Sequence, residues 1–223
     1  MGDARPFDGR PLLELQIGQG NLEVVPSFCY LGDTLSAGGG CQLATIIRAK
    51  TAWGKFRKLL PVLTSRHLSL RTRGHVYGTC VRSAMLHGSK TWAVKSVDLQ
   101  RLRGNDRAMI RWICNVTIGD LAPSNELLGR LGILDLDVVL RERRLRWYGH
   151  VQCSTGAIKI VGEVRVVGVR RRGRPKMSWK EVVTKDREQW NLSAVDPLDR
   201  VTWRASVRAA QTGPSQIPGV GFY

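Results

Sequence analysis

The sequence predicts a mainly α-helical protein with a small N-terminal β segment and an irregular basic linker before its last helices. Three observations lead to this fold class. Apolar and polar residues alternate only near the start of the 223-residue chain. From residue 42 onward, apolar residues recur at three- and four-residue steps, which is the spacing of one helix face. A run of glycine, arginine and proline at residues 168–175 then interrupts the helical pattern.

The β segment is predicted over residues 13–31. Leu13, Leu15 and Ile17 alternate with polar positions, and residues 18–21 supply a turn. The chain then returns as a second strand, breaks at Pro26 and forms a third short strand at residues 28–31. The expectation is a β-hairpin or three-strand unit within residues 1–36. Because so small a unit is a poor independent fold, it either packs on the helices or has lost a sheet to which it belonged.

Helices are predicted from residue 42 to about residue 150. The first ends at Pro61 and buries an apolar face formed by Ile46, Ala49, Trp53, Phe56 and Leu60. Ser69 is expected to cap the next helix, and others should follow near residues 96–114, after Pro123 and near 137–150. Trp53 and Trp112 are expected in the core. Two final helices are predicted near residues 178–190 and 197–210.

These patterns divide the chain into five parts. Residues 1–36 form the β segment and residues 42–152 form a helical domain. Residues 153–177 form a basic linker, residues 178–211 carry the C-terminal helices, and residues 212–223 form a flexible tail rich in glycine and proline.

Positive charge is the strongest compositional signal, with a net value of +17. Residues 41–111 carry fifteen basic and two acidic residues, and residues 141–180 carry twelve and two. Two such blocks predict two surfaces that face the phosphates of RNA or DNA. A merely basic, solvated protein is the alternative. Binding to an acidic membrane surface is disfavoured, because the charges are interleaved with core-type apolar positions.

Other classes of site are disfavoured by the same sequence. The five cysteines lie at least twelve positions apart, so neither a zinc site nor a disulfide framework is expected. No stretch stays apolar for the roughly 20 residues that span a bilayer, and the first ten residues lack the apolar part of a secretory signal. The expectation is a nuclear or cytoplasmic protein with no cofactor, no membrane partner and no small-molecule substrate.

Six short segments share their order with a known family. They are residues 28–32 (FCYLG), 64–73 (TSRHLSLRTR), 87–92 (HGSKTW), 144–151 (RLRWYGHV), 172–179 (RGRPKMSW) and 203–204 (WR). Together they resemble the C-terminal part of the reverse transcriptase of LINE-type (non-LTR) retrotransposons, and the resemblance covers about residues 13–210. Two positions depart from the family pattern: His87 replaces a common tyrosine, and Lys90 replaces a common glutamate.

The resemblance implies a palm-tail β segment, a helical thumb-like domain and a basic C-terminal extension. The primer-grip-like residues would be Phe28, Tyr30, Leu31 and Gly32. The thumb and extension would hold nucleic-acid backbone through Lys50, Lys55, Arg57, Lys58, Arg71, Arg73, Arg141, Arg143, Arg144, Arg146, Arg170, Arg171, Arg172, Arg174 and Lys176. Trp147 lies among these arginines, where either base stacking or a place in the core fits its pattern.

The sequence offers no set of catalytic residues. It contains no Phe/Tyr-Ala-Asp-Asp motif, and only 27 residues precede the primer-grip-like segment, where the family has its fingers and palm carboxylates. Asp135 and Asp137 form an Asp-x-Asp pair, which is interpreted as a helix cap rather than as a two-metal site. The resemblance therefore implies a truncated RNA-directed DNA polymerase that is inactive alone and has RNA or DNA as its partner.

The run at residues 170–176 (RRRGRPK) leaves other functions open. An extended Arg-Gly-Arg-Pro segment is narrow enough for an A·T-rich minor groove, as in AT-hook peptides, which would suit a stand-alone DNA-binding protein. The same run fits RNA-backbone contact, a nuclear-import signal or a solvated linker. A further hypothesis is a non-functional gene fragment whose product does not accumulate.

Overall fold

Helices make up most of the computed structural model, which describes residues 14–30, 33–36, 40–158, 160 and 178–212. The mainly α fold class predicted from the sequence is confirmed. The α-helices are α1 (Gln42–Lys58), α2 (Leu60–Leu63), α3 (Leu70–Val76), α4 (Ser83–Met85), α5 (Ser96–Cys114), α6 (Ser124–Leu131), α7 (Leu136–Gln152), α8 (Trp179–Gln189) and α9 (Arg200–Thr212). A π-helical segment, Tyr77–Arg82, joins α3 to α4, and a short 3-10 helix, Ser89–Thr91, precedes α5.

The described residues of the N-terminal β segment form two separate antiparallel hairpins. Strand β1 (Glu14–Ile17) pairs with β2 (Gly20–Glu23), and β3 (Ser27–Tyr30) pairs with β4 (Asp33–Ser36). The sequence predicted the first three strands but not β4. The second hairpin contacts the helices, because β4 packs against α1.

The first helix lies where the periodicity predicts it, but its end differs from the prediction. Helix α1 ends at Lys58, and Pro61 lies in the first turn of α2. Proline is tolerated there because the first turn of a helix has no internal acceptor for its N–H groups. Pro61 therefore starts a helix rather than ending one.

The predicted helix caps are confirmed. The Ser69 hydroxyl accepts a hydrogen bond from the backbone N–H of Thr72 at 3.1 Å, at the start of α3. At the start of α7, Asp135 accepts from the N–H of Asp137 at 2.8 Å. The Asp-x-Asp pair is thus a cap, and the Asp137 carboxylate is additionally paired with Arg103.

Two hydrophobic clusters form the core of the described residues. The larger cluster contains side chains from helices α1 through α7. Its fully buried members include Phe56, Leu63, Tyr77, Leu102 and Met109. The smaller joins α7, α8 and α9 through Val138, Leu145, Val183, Trp190, Leu192, Trp203 and Val207. Helix α7 contributes to both clusters, since Leu136 and Leu140 belong to the larger one.

A buried polar network lies inside the larger cluster. The Arg82 guanidinium donates two hydrogen bonds to the Asp106 carboxylate, at 2.9 and 2.7 Å. The Tyr77 hydroxyl donates to the same carboxylate at 2.6 Å. The remaining Arg82 Nη1 donates to the carbonyl of Leu134 at 2.6 Å, which ties the connection before α7 to the helices.

In the described ranges, no helix is both long enough and apolar enough to span a bilayer.

Candidate nucleic-acid interface

An open cleft of about 570 Å³ lies where three distant parts of the chain meet. One wall comes from residues 83–90, which run from α4 into the 3-10 helix. The second comes from residues 143–150 on α7, and the third from residues 197–204 at the start of α9. We call this site the cationic cleft because of the side chains that line it.

Five positively charged side chains line the cationic cleft: Lys90, Arg143, Arg146, Arg200 and Arg204. Two histidines, His87 and His150, also line it, and none of its described lining residues is an aspartate or glutamate. Like charges gathered around a concavity raise the local positive potential and attract anions. The cleft can therefore hold phosphate groups.

Helix α9 presents two of these cations from its first turns. Arg200 and Arg204 are four residues apart, so they lie on one face of the helix. Within the described residues neither has a hydrogen-bond or ion-pair partner. Just before them, Asp199 accepts hydrogen bonds from the N–H groups of Val201 and Thr202 at 3.1 and 3.2 Å. The Thr202 hydroxyl and backbone hydrogen bonds hold the pKa of the Asp199 carboxyl below its ordinary value.

Lys90 and His150 both contact Trp147 at one side of the cleft. The Lys90 Nζ lies 3.9 Å from the centroid of the Trp147 ring, over its face. The His150 ring centroid is 5.0 Å from that of Trp147, with 37° between the planes. The Lys90 backbone is tied to α8, because the Trp179 indole donates a hydrogen bond to its carbonyl at 2.8 Å.

Arg143 is the most enclosed of the five cations. Its Nη1 donates to the backbone carbonyl of Leu86 at 2.8 Å. Burial lowers the pKa of the Arg143 guanidinium, with the neighbouring Arg82 and Arg146 acting in the same direction. Arginine nonetheless stays charged at neutral pH because its ordinary pKa is above about 12. Arg146, by contrast, is 65% exposed and is paired with Glu142 one turn away.

Two other arginines of α7 attach the C-terminal helices. Arg141 Nε lies 3.1 Å from one carboxylate oxygen of Asp186 on α8, and Arg144 Nε lies 2.7 Å from the other. The Arg144 and Asp186 side chains are only 10% and 6% exposed. These guanidiniums thus have an internal carboxylate partner and hold α8 against α7.

The remaining predicted contacts of the thumb-like region fall into two groups. Lys50, Lys55, Arg57 and Lys58 are exposed on α1, and Arg71 is exposed on α3. Arg73 is half-buried, and its Nη1 donates to the carbonyl of Ile113 at 3.1 Å. None of these six residues is part of the described lining of the cationic cleft.

The primer-grip-like segment is described only in part. Phe28 and Tyr30 lie on β3, and both side chains are more than half exposed. Leu31 and Gly32 lie outside the described residues, as do Arg170, Arg171, Arg172, Arg174 and Lys176.

The tryptophans differ from one another in their surroundings. Trp53 is half-buried, as expected of a core position, and its Nε1 donates to Asn105 at 2.7 Å. The prediction for Trp112 was wrong, because its side chain is 52% exposed at the edge of a ring cluster with Trp53 and Phe56. Trp147 is half-buried and lines the cleft.

Sequence reasoning missed several cleft residues as binding candidates: Lys90, Arg200, Arg204, His87 and His150. All of them except Arg200 belong to segments that carry the family resemblance, so a signal for them was present. Arg200 stands in an electrically neutral C-terminal stretch, residues 181–223, and only the packing of α9 on α7 brings it to the cleft.

Comparisons of the chain with protein-family models, with curated proteins and with solved structures give no match. Within the described part of the chain, no three or more His, Cys, Asp or Glu residues are grouped so that they could hold a metal ion.

Proposed function

We propose that this protein binds the phosphate backbone of nucleic acid through the cationic cleft. The observation that carries the proposal is the meeting of five cations from three separate segments in one cavity, with no carboxylate in its described lining. Such convergence is unfavourable in the free protein because like charges repel one another. A polyanion in the cleft relieves that repulsion, and its released counterions add to the driving force.

The position of the cleft supports an origin from a LINE-type reverse transcriptase. Three of the segments that resemble this family contribute to its lining: residues 87–92, 144–151 and 203–204. As part of the proposal, the chain corresponds to a thumb and basic C-terminal extension, which contact nucleic acid without performing phosphoryl transfer. The exposed cations of α1 and Arg71 would form a second backbone contact. We place the protein in the nucleus or cytoplasm, which imaging of a tagged chain would test.

Fluorescence anisotropy with labelled RNA and DNA oligonucleotides tests the proposed binding. We expect the double variant Arg200→Ala/Arg204→Ala to bind roughly tenfold more weakly than the wild type, because it loses two charge-assisted phosphate contacts. For a single strand, the slope of log affinity against log salt concentration should become shallower by about 1.4.

Arg208→Ala is the matched control. Arg208 is exposed on the same helix, one turn beyond Arg204, and is not among the described lining residues of the cleft. Its removal should change the affinity by less than about twofold, as expected for a cation that attracts the nucleic acid only through screened, long-range electrostatics. The proposal fails if the wild type binds neither RNA nor DNA at low salt, or if Arg208→Ala weakens binding as much as the double variant does. The run at residues 170–176 would be favoured as the binding site instead if the double variant keeps full affinity and Arg174→Ala weakens binding.

The proposal also includes the absence of polymerase activity from this chain alone. Primer extension on an RNA template with Mg²⁺ and deoxynucleotides provides the measurement. We expect no extension above a protein-free control, and extension that persists after further purification would contradict this part of the proposal.

A further inference from the structure

We infer that the cationic cleft takes an unpaired base of a single-stranded nucleic acid, stacked on the ring of Trp147, while the surrounding cations hold the neighbouring phosphates. This inference rests on the proposed function and names its ligand class more narrowly. It concerns the single-stranded state, which RNA and DNA share.

The first support comes from the exposure of the Trp147 ring and from the side chain that covers it. It is half-buried at the cleft, and the ammonium group of Lys90 lies over its face, 3.9 Å from the centroid. Lys90 is an exposed residue, and within the described part of the chain its side chain has no carboxylate partner. An aromatic face at a binding cleft is thus covered by the end of a flexible side chain rather than by packed core atoms.

A base can displace that ammonium group. A cation–π contact at an exposed site is weaker than the stacking of a nucleic-acid base on an aromatic side chain. The displaced Lys90 then gains a phosphate as a partner, because every base of a strand is flanked by phosphates. The exchange replaces one weak contact by a stacking contact and a charge-assisted one.

The other tryptophan of the described lining cannot serve in the same way. Trp203 is 2% exposed, and its Nε1 donates to the Leu145 carbonyl at 3.0 Å, so its ring belongs to the core. Stacking in the cleft is therefore assigned to Trp147, whose ring centroid lies 5.0 Å from that of its neighbour His150.

The size and position of the cations favour a single strand. A cavity of about 570 Å³ lies in the range of roughly 300–1,000 Å³ that holds ligand-sized groups, so one base enters but a duplex does not. Arg146, Arg200 and Arg204 surround the same cavity and can reach the backbone on either side of that base. In a duplex, the base would first have to leave its stack, which costs free energy.

The test compares a strand with bases to a strand without them. The probes are labelled oligothymidylate, oligouridylate and an abasic oligodeoxynucleotide, all of one length. We expect the wild type to bind oligothymidylate at least about fivefold more tightly than the abasic strand, which matches the lower end of base–aromatic stacking. Trp147→Leu should remove this preference, whereas Trp147→Phe, which keeps an aromatic face, should retain most of it.

A second variant separates stacking from charge. Lys90→Met removes the ammonium group and should weaken binding of both the base-bearing and the abasic strand. Because the Trp147 face is then uncovered, the affinity ratio of the two strands should not fall below the wild-type value, and a fall would count against stacking on Trp147. Circular dichroism of each variant checks that the helices are intact.

The possible failures are distinguishable. If the wild type binds no oligonucleotide, the proposed function itself is wrong. Equal wild-type affinity for oligothymidylate and the abasic strand would overturn stacking and leave backbone binding standing. Stacking is overturned as well if Trp147→Leu weakens both strands by one common factor, since the residue would then act only through the fold. Oligouridylate and oligothymidylate differ in the C5 methyl group as well as in the sugar, so a difference between them would show a nucleotide preference and leave the stacking proposal intact.

Discussion

Trp203 lies so close to Gly149 that a Cβ atom on the glycine would stand 2.5 Å from two atoms of the indole ring. The indole is 2% exposed, and its Nε1 donates to the Leu145 carbonyl at 3.0 Å. The absence of a side chain at position 149 therefore lets α9 approach α7. This approach also brings Arg200 and Arg204 to the cationic cleft.

Gly149→Ala should destabilise the protein by about 2 kcal/mol, as expected from overpacking of a core contact. The loss should occur even though alanine favours a helix by up to about 1 kcal/mol over glycine. Chemical denaturation followed by circular dichroism measures the free energy of unfolding.

Gly104→Ala is the control for this substitution. Gly104 is exposed on α5, and a Cβ there would meet no atom within 4 Å. It should therefore stabilise the protein by about 0.5–1 kcal/mol through helix propensity alone. Equal stability of the Gly149→Ala variant and the wild type would show that α9 does not pack on α7 in this way.

Asp186→Ala should cost about 3 kcal/mol of unfolding free energy, because it leaves the enclosed Arg144 guanidinium without its carboxylate. Arg141 loses the same partner. Glu188→Ala is the matched control, since Glu188 is an exposed carboxylate on the same helix, and its removal should change stability by less than about 0.5 kcal/mol. Similar denaturation midpoints for the two variants would count against the assigned role of Asp186.

Tyr77→Phe should destabilise the protein by about 1.5–3 kcal/mol at neutral pH, because it deletes the hydrogen bond to the Asp106 carboxylate. Burial, followed by the charge of Asp106, raises the pKa of Tyr77 well above its ordinary value. The folded hydroxyl thus keeps its proton at a pH where the unfolded tyrosine loses it.

The raised pKa of Tyr77 fixes the sign of a pH effect. The stability that comes from its protonated hydroxyl is complete below the unfolded pKa of about 10 and falls as the pH rises further, by up to about 1.4 kcal/mol per pH unit. The phenylalanine variant lacks this proton. The difference in unfolding free energy between the wild type and this variant should therefore narrow above about pH 10. Urea denaturation of both proteins below and above about pH 10 measures this difference. A difference that does not change with pH would contradict the burial of the Tyr77 hydroxyl.

Cysteine alkylation should follow burial. Cys29 and Cys80 are exposed, whereas burial raises the pKa of the Cys41 and Cys114 thiols, with Asp98 adding to the effect at Cys41. A raised pKa lowers the thiolate fraction near pH 8, and the thiolate is the reactive form. Peptide mapping after brief iodoacetamide treatment should find Cys29 and Cys80 labelled first. Early labelling of Cys114 in the folded protein would contradict the packing of α5.

Sequence periodicity was sufficient for most of the helices, because one face of each helix is apolar and the caps at Ser69 and Asp135 are local. Strand β4 was missed because Asp-Thr-Leu-Ser carries one apolar residue and becomes a strand only by pairing with β3. The last helix begins at Arg200 rather than near residue 197, because Asp199 supplies the hydrogen bonds that start it.

The candidate site was harder to predict because its residues are distant in sequence. Four arginines in residues 141–146 look alike in the sequence, but Arg141 and Arg144 meet Asp186 more than 40 positions later, and Arg146 faces the cleft. No local pattern distinguishes a cation that anchors a neighbouring helix from one that faces solvent. That difference depends on tertiary packing.

Helix α7 lies between the two hydrophobic clusters and belongs to both. A stop codon between residues 153 and 177 would therefore do more than remove the helices that follow. The shortened product would present Val138 and Leu145 to water and leave Arg144 without its counterion, so it would be prone to aggregation and proteolysis. An inherited copy of this gene that ends before α8 should for that reason yield little protein, even with every codon up to α7 intact.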